Sequence, residues 1–141
     1  MIKRVFLDTD VILDVALARK PFLEHSKNVL AMLENNIAIG HLSSNCVANI
    51  YYIFRKVGGD VSAREFIKKL LKYMTVISIE HSDVVEGLKS SMPDFEDALQ
   101  NYSATRNQCA CIITRNVEDY GSSKLDIYTP SEFINLYKEK L

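Results

Sequence analysis

The chain has 141 residues, 48% of them hydrophobic, with 17 Lys and Arg against 18 Asp and Glu for a formal net charge of -1. That length and apolar fraction support one domain over residues 1–141 whose core needs neither disulfide nor structural metal, while near-neutrality excludes the strongly basic surface of a bulk nucleic-acid binder and leaves polyanion contact to local patches. Cys46, Cys109 and Cys111 are an odd set without zinc-type spacing to His25, His41 and His81, and no apolar run has the length of a leader or membrane span, so a soluble protein of the reducing cytoplasm is expected.

Short β-rich runs alternate with amphipathic stretches along the whole chain, which predicts a three-layer α/β/α fold around a central parallel sheet. Arg4 to Leu7 reads as the first strand, ending at Asp8, and a helix from about Asp10 to Ala18 runs until Pro21 interrupts it. Phe22, Ser26, Val29, Leu30 and Leu33 mark one face of a second helix. Ile37 to Leu42 is the second strand, and Ser43 or Ser44 can cap a helix whose inner face is Val47, Ile50, Tyr51 and Phe54. Gly58 and Gly59 stop that helix. Ser62 and Glu65 have capping-box spacing, and Phe66, Ile67, Leu70, Leu71 and Met74 continue as a helical stripe up to a strand at Val76 to Ile79. Asp83 to Ser90 is a weaker helix closed by Pro93. Asp94 opens another, with Phe95, Ala98, Leu99 and Tyr102 inward, leading to the apolar strand Cys111 to Thr114. A short strand near Ile127 precedes a last helix, for which Thr129 is the N-cap, Pro130 the first-turn residue and Glu132 the capping-box acid.

The acids fall at chemically telling places. Asp8 stands where a buried strand meets a helix, and in open α/β sheets ligands collect at the carboxyl ends of strands. Asp94 and Asp97, three apart on one helical turn, project to one side and can share a cation. The run Thr114-Arg115-Asn116-Val117-Glu118-Asp119 follows the second buried strand. If both strands are central and parallel, Asp8, Asn116 and Asp119 meet in one crevice, where unneutralised carboxylates would repel one another by several kcal/mol, roughly the interaction of unit charges 4 Å apart in an intermediate dielectric. A divalent ion relieves that repulsion, and oxygen-only ligands favour Mg²⁺ or Mn²⁺.

Three segments, Val5-Phe-Leu-Asp-Thr-Asp-Val-Ile-Leu-Asp14, Asp94-Phe-Glu-Asp-Ala-Leu99 and Ile113-Thr-Arg-Asn-Val-Glu-Asp119, resemble in order and spacing the successive motifs of the PIN-domain family. The resemblance implies a PIN fold and a Mg²⁺- or Mn²⁺-dependent ribonuclease like the toxins of bacterial toxin-antitoxin pairs, with an RNA substrate, an antitoxin partner and a homodimer. It casts Asp8, Asp97, Asp94 and Asp119 as metal ligands and Thr114 as the polar residue that orients a ligand or water. Two positions depart from the family pattern: Asn49 stands where a glutamate is expected and Asn116 where many members carry the fourth aspartate. Amides still offer a carbonyl oxygen to an ion but attract it less, so weaker binding is expected. The roughly 4–8 Å that one or two hydrated ions can bridge is the expected spacing of Asp8, Asp97 and Asp119.

Each feature has a plainer structural reading. Asp94 and Asp97 can form a helix cap, Asp8 can start a helix, Asp119 can be an ordinary loop aspartate and Asn49 a polar helix residue. Among the basic residues, Arg64, Lys68, Lys69 and Lys72 fit a solvated helix face, with Arg55, Lys56 and Arg106 scattered elsewhere. Arg115, inside the acidic loop, is the best candidate for touching an RNA phosphate. Tyr51 and Phe54 fit core packing or a dimer face better than base stacking, and Cys111 a small buried hydrophobe. Three other functions compete. Asp8-Thr9-Asp10-Val11-Ile12-Leu13 also resembles the opening of haloacid-dehalogenase-type phosphatases, but the acidic pair Asp94 and Asp97 precedes the strand ending in Thr114, the reverse of the order that chemistry needs. A receiver domain lacks its late-strand lysine. A PIN module that binds RNA or a protein without cutting is the other alternative.

Overall fold

The computed structural model describes residues 3–137. In chain order these form β1 (Lys3–Leu7), α1 (Thr9–Ala16), α2 (Leu23–Glu34), β2 (Ala38–Ser43), α3 (Ser44–Leu70), β3 (Met74–Ile77), α4 (His81–Lys89), α5 (Phe95–Arg106), β4 (Cys111–Ile113), a 3-10 turn at Val117–Tyr120, β5 (Asp126–Tyr128) and α6 (Pro130–Tyr137). The five strands make one sheet in the order β3-β2-β1-β4-β5, and every pairing is parallel. Parallel strands need both faces covered, and the sequence meets that need: Val5, Phe6 and Leu7 of β1 and Ile112 and Ile113 of β4 have no exposed surface. Helices supply the cover as outer layers. Helix α2 packs on α1 and α6, α4 packs on α5, and α3 touches α1, β2 and β3.

This topology decides where a ligand can sit. From β1 the chain builds outward through β2 to β3, then crosses back and builds the other way through β4 to β5. The reversal lies between β1 and β4, and the carboxyl ends of those two strands carry Asp8 and Thr114. Such a switch point opens a crevice, because the connections leaving the two strands part to opposite sides.

Local chemistry explains most element ends. Asp8 caps α1 by accepting from Thr9 N, Ser43 caps α3 by accepting from Cys46 N, and Asp94 caps α5 by accepting from Asp97 N. The reciprocal bonds expected before the last helix are present, Glu132 N to Thr129 Oγ1 at 3.1 Å and Thr129 N to Glu132 Oε1 at 3.0 Å. Gly40 of β2 lets α2 approach the sheet, since a Cβ there would stand 2.5 Å from Leu33 Cδ1.

Four local expectations are corrected. The glycine pair interrupts α3 at Gly59 alone, where φ is +84°, and the helix resumes at once, so Ser62 lies inside the second segment and does not cap it. Phe54 and Phe66 then pack across the kink with ring centroids 5.6 Å apart. Met74 opens β3 and does not extend the helical stripe, because Gly40 to Ser43 of β2 pair with residues 74 to 77. The weaker helix starts at His81, two residues early, because Glu80 and Asp83 form a capping box. Phe95 is 47% exposed. Its ring leans on α4, near Gly87, and the inward face of α5 is shared by Ala98 and Leu99 with Gln100, Asn101 and Ser103. Among the described residues no helix is long and apolar enough to cross a membrane.

Candidate active site

At the carboxyl ends of β1 and β4 lies a cleft of about 250 Å³ lined by Asp8, Thr9, Asp10, Leu13, Asn49, Ile53, Asp94, Glu96, Asp97, Asn116 and Asp119. Six of these eleven residues are carboxylic acids and none is basic. Asp8, Asp94, Asp97, Asp119, Asn49 and Asn116 therefore all reach the same space from β1, α5, α3 and the turn after β4. Thr114 stands behind it, fully buried, and donates its hydroxyl to Asp8 Oδ2 at 2.9 Å.

Asp8 is 6% exposed and is held entirely by neutral groups: Thr9 N at 2.7 Å, Thr114 Oγ1 at 2.9 Å, Gln100 Nε2 at 3.3 Å and Tyr120 Oη at 3.4 Å. Asp97 shares two of those donors, Gln100 Nε2 at 3.3 Å and Tyr120 Oη at 3.2 Å. Gln100 Nε2 and Tyr120 Oη thus stand between the two carboxylates, and the one phenolic proton can serve only one of them at a time. Burial raises the pKa of Asp8 despite the hydrogen bonds from Thr114 and Gln100. Asp97 is pushed up to about 7, by burial first and then by the charges of Asp8 and Asp94. Glu96 is also raised, by burial and by Asp94 and Asp8.

An oxygen-only set of this kind suits a hard divalent cation. Among the described residues, however, no three His, Cys, Asp or Glu side chains stand close enough to one another to form a ready-made grip. The acids converge on one cleft, and Asp8 and Asp97 come together as far as Gln100 and Tyr120 bring them. The chemistry of the donor set fits an ion, and side-chain movement of Asp94, Glu96 or Asp119 would complete its shell.

Three residues of the cleft region escaped the sequence reading. Glu96 projects from the first turn of α5, and its Oε1 accepts from Asn49 Nδ2 at 2.7 Å. Its place between Asp94 and Asp97 was the available signal. Gln100 is one helical turn beyond Asp97 and 1% exposed, and Tyr120 follows Asp119 and is 1% exposed. A buried aromatic next to a loop acid reads as core in sequence, and nothing there reveals that its hydroxyl meets two carboxylates.

Arg115 lies beside the cleft, engaged elsewhere. Its Nε is 3.2 Å from Asp14 Oδ2, its Nη2 is 3.8 Å from Asp10 Oδ1, and its guanidinium stacks 4.0 Å from the centroid of Phe22. The Asp14 side chain has no exposed surface, so this arginine neutralises a buried acid as well as standing at the rim. The cysteines are all buried and free, Cys111 as the small hydrophobe expected.

Known proteins resemble the chain in sequence or in fold. "Ribonuclease VapC1" of Aquifex aeolicus is 24% identical over 136 residues, covering 93% of each chain. Among solved structures, VapBC2 from Rickettsia felis, bound to a DNA fragment from its promoter, superposes with a TM-score of 0.68 at 15% identity, covering 89% of this chain and 98% of that one. VapC20 of Mycobacterium tuberculosis, a sarcin-ricin loop cleaving toxin, does so with a TM-score of 0.61 at 10% identity, covering 77% and 86%. The model of the family described as PIN domain matches residues 4–118. That match runs from β1 into the turn after β4 and takes in every acid of the cleft except Asp119, and the chain belongs to the PIN domain family.

Proposed function

We propose that the chain is a divalent-metal-dependent endoribonuclease and the toxin of a toxin-antitoxin pair. The observation that carries this reading is the cleft itself, six carboxylic acids without a basic residue at the switch point of a parallel sheet. Evolutionary likeness to a VapC ribonuclease and fold likeness to toxin-antitoxin complexes support it.

Asp8 and Asp97 would hold the ion, with Asp94 and Asp119 completing its shell from the front of the cleft. A bound Mg²⁺ or Mn²⁺ supplies there the positive charge that neutralises the acids and polarises a phosphodiester. Thr114 holds Oδ2 of Asp8 from behind while Thr9 N and Gln100 Nε2 hold Oδ1, so the whole carboxylate is fixed in direction at the back of the cleft. Glu96, turned by Asn49, is placed at the side wall, where a carboxylate of raised pKa can take the proton of an attacking water. Asn49 thus works through Glu96, and Asn116 lends a carbonyl oxygen to the same face. Arg115 can meet a phosphate only by leaving Asp10. The same reading puts the chain in the cytoplasm as a homodimer restrained by an antitoxin.

The experiment is cleavage of a panel of structured RNAs by purified protein, with Mg²⁺ or Mn²⁺ against a chelator, beside Asp8→Asn and Asp97→Asn. Metal-dependent cleavage by the wild type and its loss in both variants is the expected result, and equal cleavage by all three overturns the assignment. The two amides in the cleft favour one second reading, a module that binds RNA or a protein without cutting. RNA retained by the wild type, intact at every metal concentration, would select it.

A further inference from the structure

Gln100 does not line the cleft, yet it joins the two innermost carboxylates. Its Nε2 reaches Asp8 Oδ1 and Asp97 Oδ1, both at 3.3 Å, and Tyr120 Oη at 3.1 Å, while its Oε1 accepts from Cys46 Sγ at 2.7 Å. The chemistry at each end fixes this orientation. Turning the carboxamide over would aim Oε1 at two carboxylates and exchange two attractive contacts for two repulsive ones. Cys46 guards the other end. It has no exposed surface, its backbone N–H donates to Ser43 Oγ at 3.1 Å, and its sulfur accepts from Thr9 Oγ1 at 2.9 Å. The thiol proton is thereby left for Gln100 Oε1. A continuous path runs from the first turn of α3, through thiol and carboxamide, to an acid at the end of β1 and an acid on α5.

We propose that Cys46 and Gln100 are positioning residues for the divalent-ion site: the thiol fixes the Gln100 carboxamide with its amino group toward Asp8 and Asp97, and that amino group sets the spacing of the two carboxylates. This rests on the metal-dependent reading above and extends it to two residues that touch neither ion nor substrate. A neutral donor suits this task where lysine or arginine would not. A cation behind the carboxylates would satisfy the charge that must attract the ion, whereas an amide directs the oxygens and leaves their charge in place.

Mn²⁺ affinity, measured by calorimetric titration with thermal melts in the presence and absence of Mn²⁺, tests the proposal on Gln100→Met, Cys46→Ala and Cys46→Ser. Gln100→Met keeps the volume and removes the donor, and should weaken Mn²⁺ binding on the order of 10- to 100-fold. Cys46→Ala leaves both carboxylates and Gln100 intact and should still weaken binding by about tenfold, while Cys46→Ser, whose hydroxyl can donate to Oε1, should return it to within about twofold of wild type. A purely structural role would instead lower the melting temperature equally with and without Mn²⁺ and leave affinity unchanged. Wild-type affinity in Cys46→Ala, or Cys46→Ser as weak as Cys46→Ala, overturns the proposal while the metal reading stands. Absence of Mn²⁺ binding in the wild type overturns both. Should Gln100→Met fail to fold, the two Cys46 variants decide.

Discussion

Asp83 and Asp8 are both buried, 2% and 6% exposed, and the protein treats them in opposite ways. Asp83, on the first turn of α4, faces Arg106 with Oδ2 2.8 Å from Nη2 and Oδ1 3.3 Å from Nε, and also accepts from Glu80 N at 2.8 Å. The same arginine reaches the Ser78 carbonyl at 2.7 Å and Glu80 at 3.3 Å, so helix α5, helix α4 and the segment before it are tied at one point. Asp8 receives its hydrogen bonds from neutral groups alone, and the acids beside it, Asp10 and Asp97, are repulsive partners. Where a buried carboxylate serves the fold, an arginine cancels it. At the cleft the charge is directed but not cancelled, which is costly for an empty site and useful for one that takes up a cation.

The contrast can be broken or sharpened by measurement. Asp83→Ala should have the largest effect on stability, about 2 kcal/mol in chemical denaturation, since it removes a capping box and the buried partner of Arg106, leaving that arginine Glu80 and the Ser78 carbonyl. RNA cleavage by the protein that remains folded should be unchanged. Asp97→Asn should do the reverse, lowering metal-dependent cleavage by more than about 100-fold, or ~2.7 kcal/mol of barrier, with no loss of metal-free stability. If it destabilises as Asp83→Ala does, the two regions are not distinct in kind. Glu96→Gln should weaken Mn²⁺ binding or slow cleavage by about tenfold, and an unchanged titration and rate would remove Glu96 from the site. The smallest expected effect is on pH dependence. The Asp97 carboxyl, near 3.8 unfolded and about 7 folded, binds its proton more tightly in the native state. It therefore contributes stability below about pH 4, which is lost as pH rises through 7. In chelator, stability should fall by about 1 kcal/mol or more from pH 4 to pH 8. The slope should be shallower in Asp97→Asn or with saturating Mg²⁺, and an identical slope under all three conditions would contradict the origin given for it.

Much of this was legible before any coordinates. An apolar strand that ends in an acid is an uncommon pattern, and it located Asp8 at the mouth of the sheet. The pair Asp94 and Asp97 opening a helix, and the loop from Asn116 to Asp119 after a second buried strand, followed from the same logic once both strands were central. The failures share a cause. Phe95 was expected inside and Gln100 was not considered, because hydrophobic periodicity assumes an apolar interior, and α5 backs a polar cleft. Arg115 has its acidic loop as sequence neighbours, but its strongest partner, Asp14, is brought to it only by the β1-β4 pairing. Asn49 read alone is a neutral residue on a helix, and its bond to Glu96 depends on how closely α3 and α5 approach.

The backbone of Asp8 has a consequence of its own. Its N–H donates to the Ile113 carbonyl at 3.0 Å, continuing the β1-β4 ladder one residue past the strand, while its side chain already caps α1. That amide cannot meet solvent unless the two central strands part, so its hydrogen exchange should keep pace with the slowest amides of the sheet and report the global unfolding free energy. Asn116 and Asp119 sit on a 3-10 turn, with an i to i+3 bond of 3.0 Å from Asp119 N to Asn116 O, and such a turn can open by itself. Under mild denaturant the cleft should therefore lose its front before its back, with Asp8 among the last groups in the molecule to leave its place.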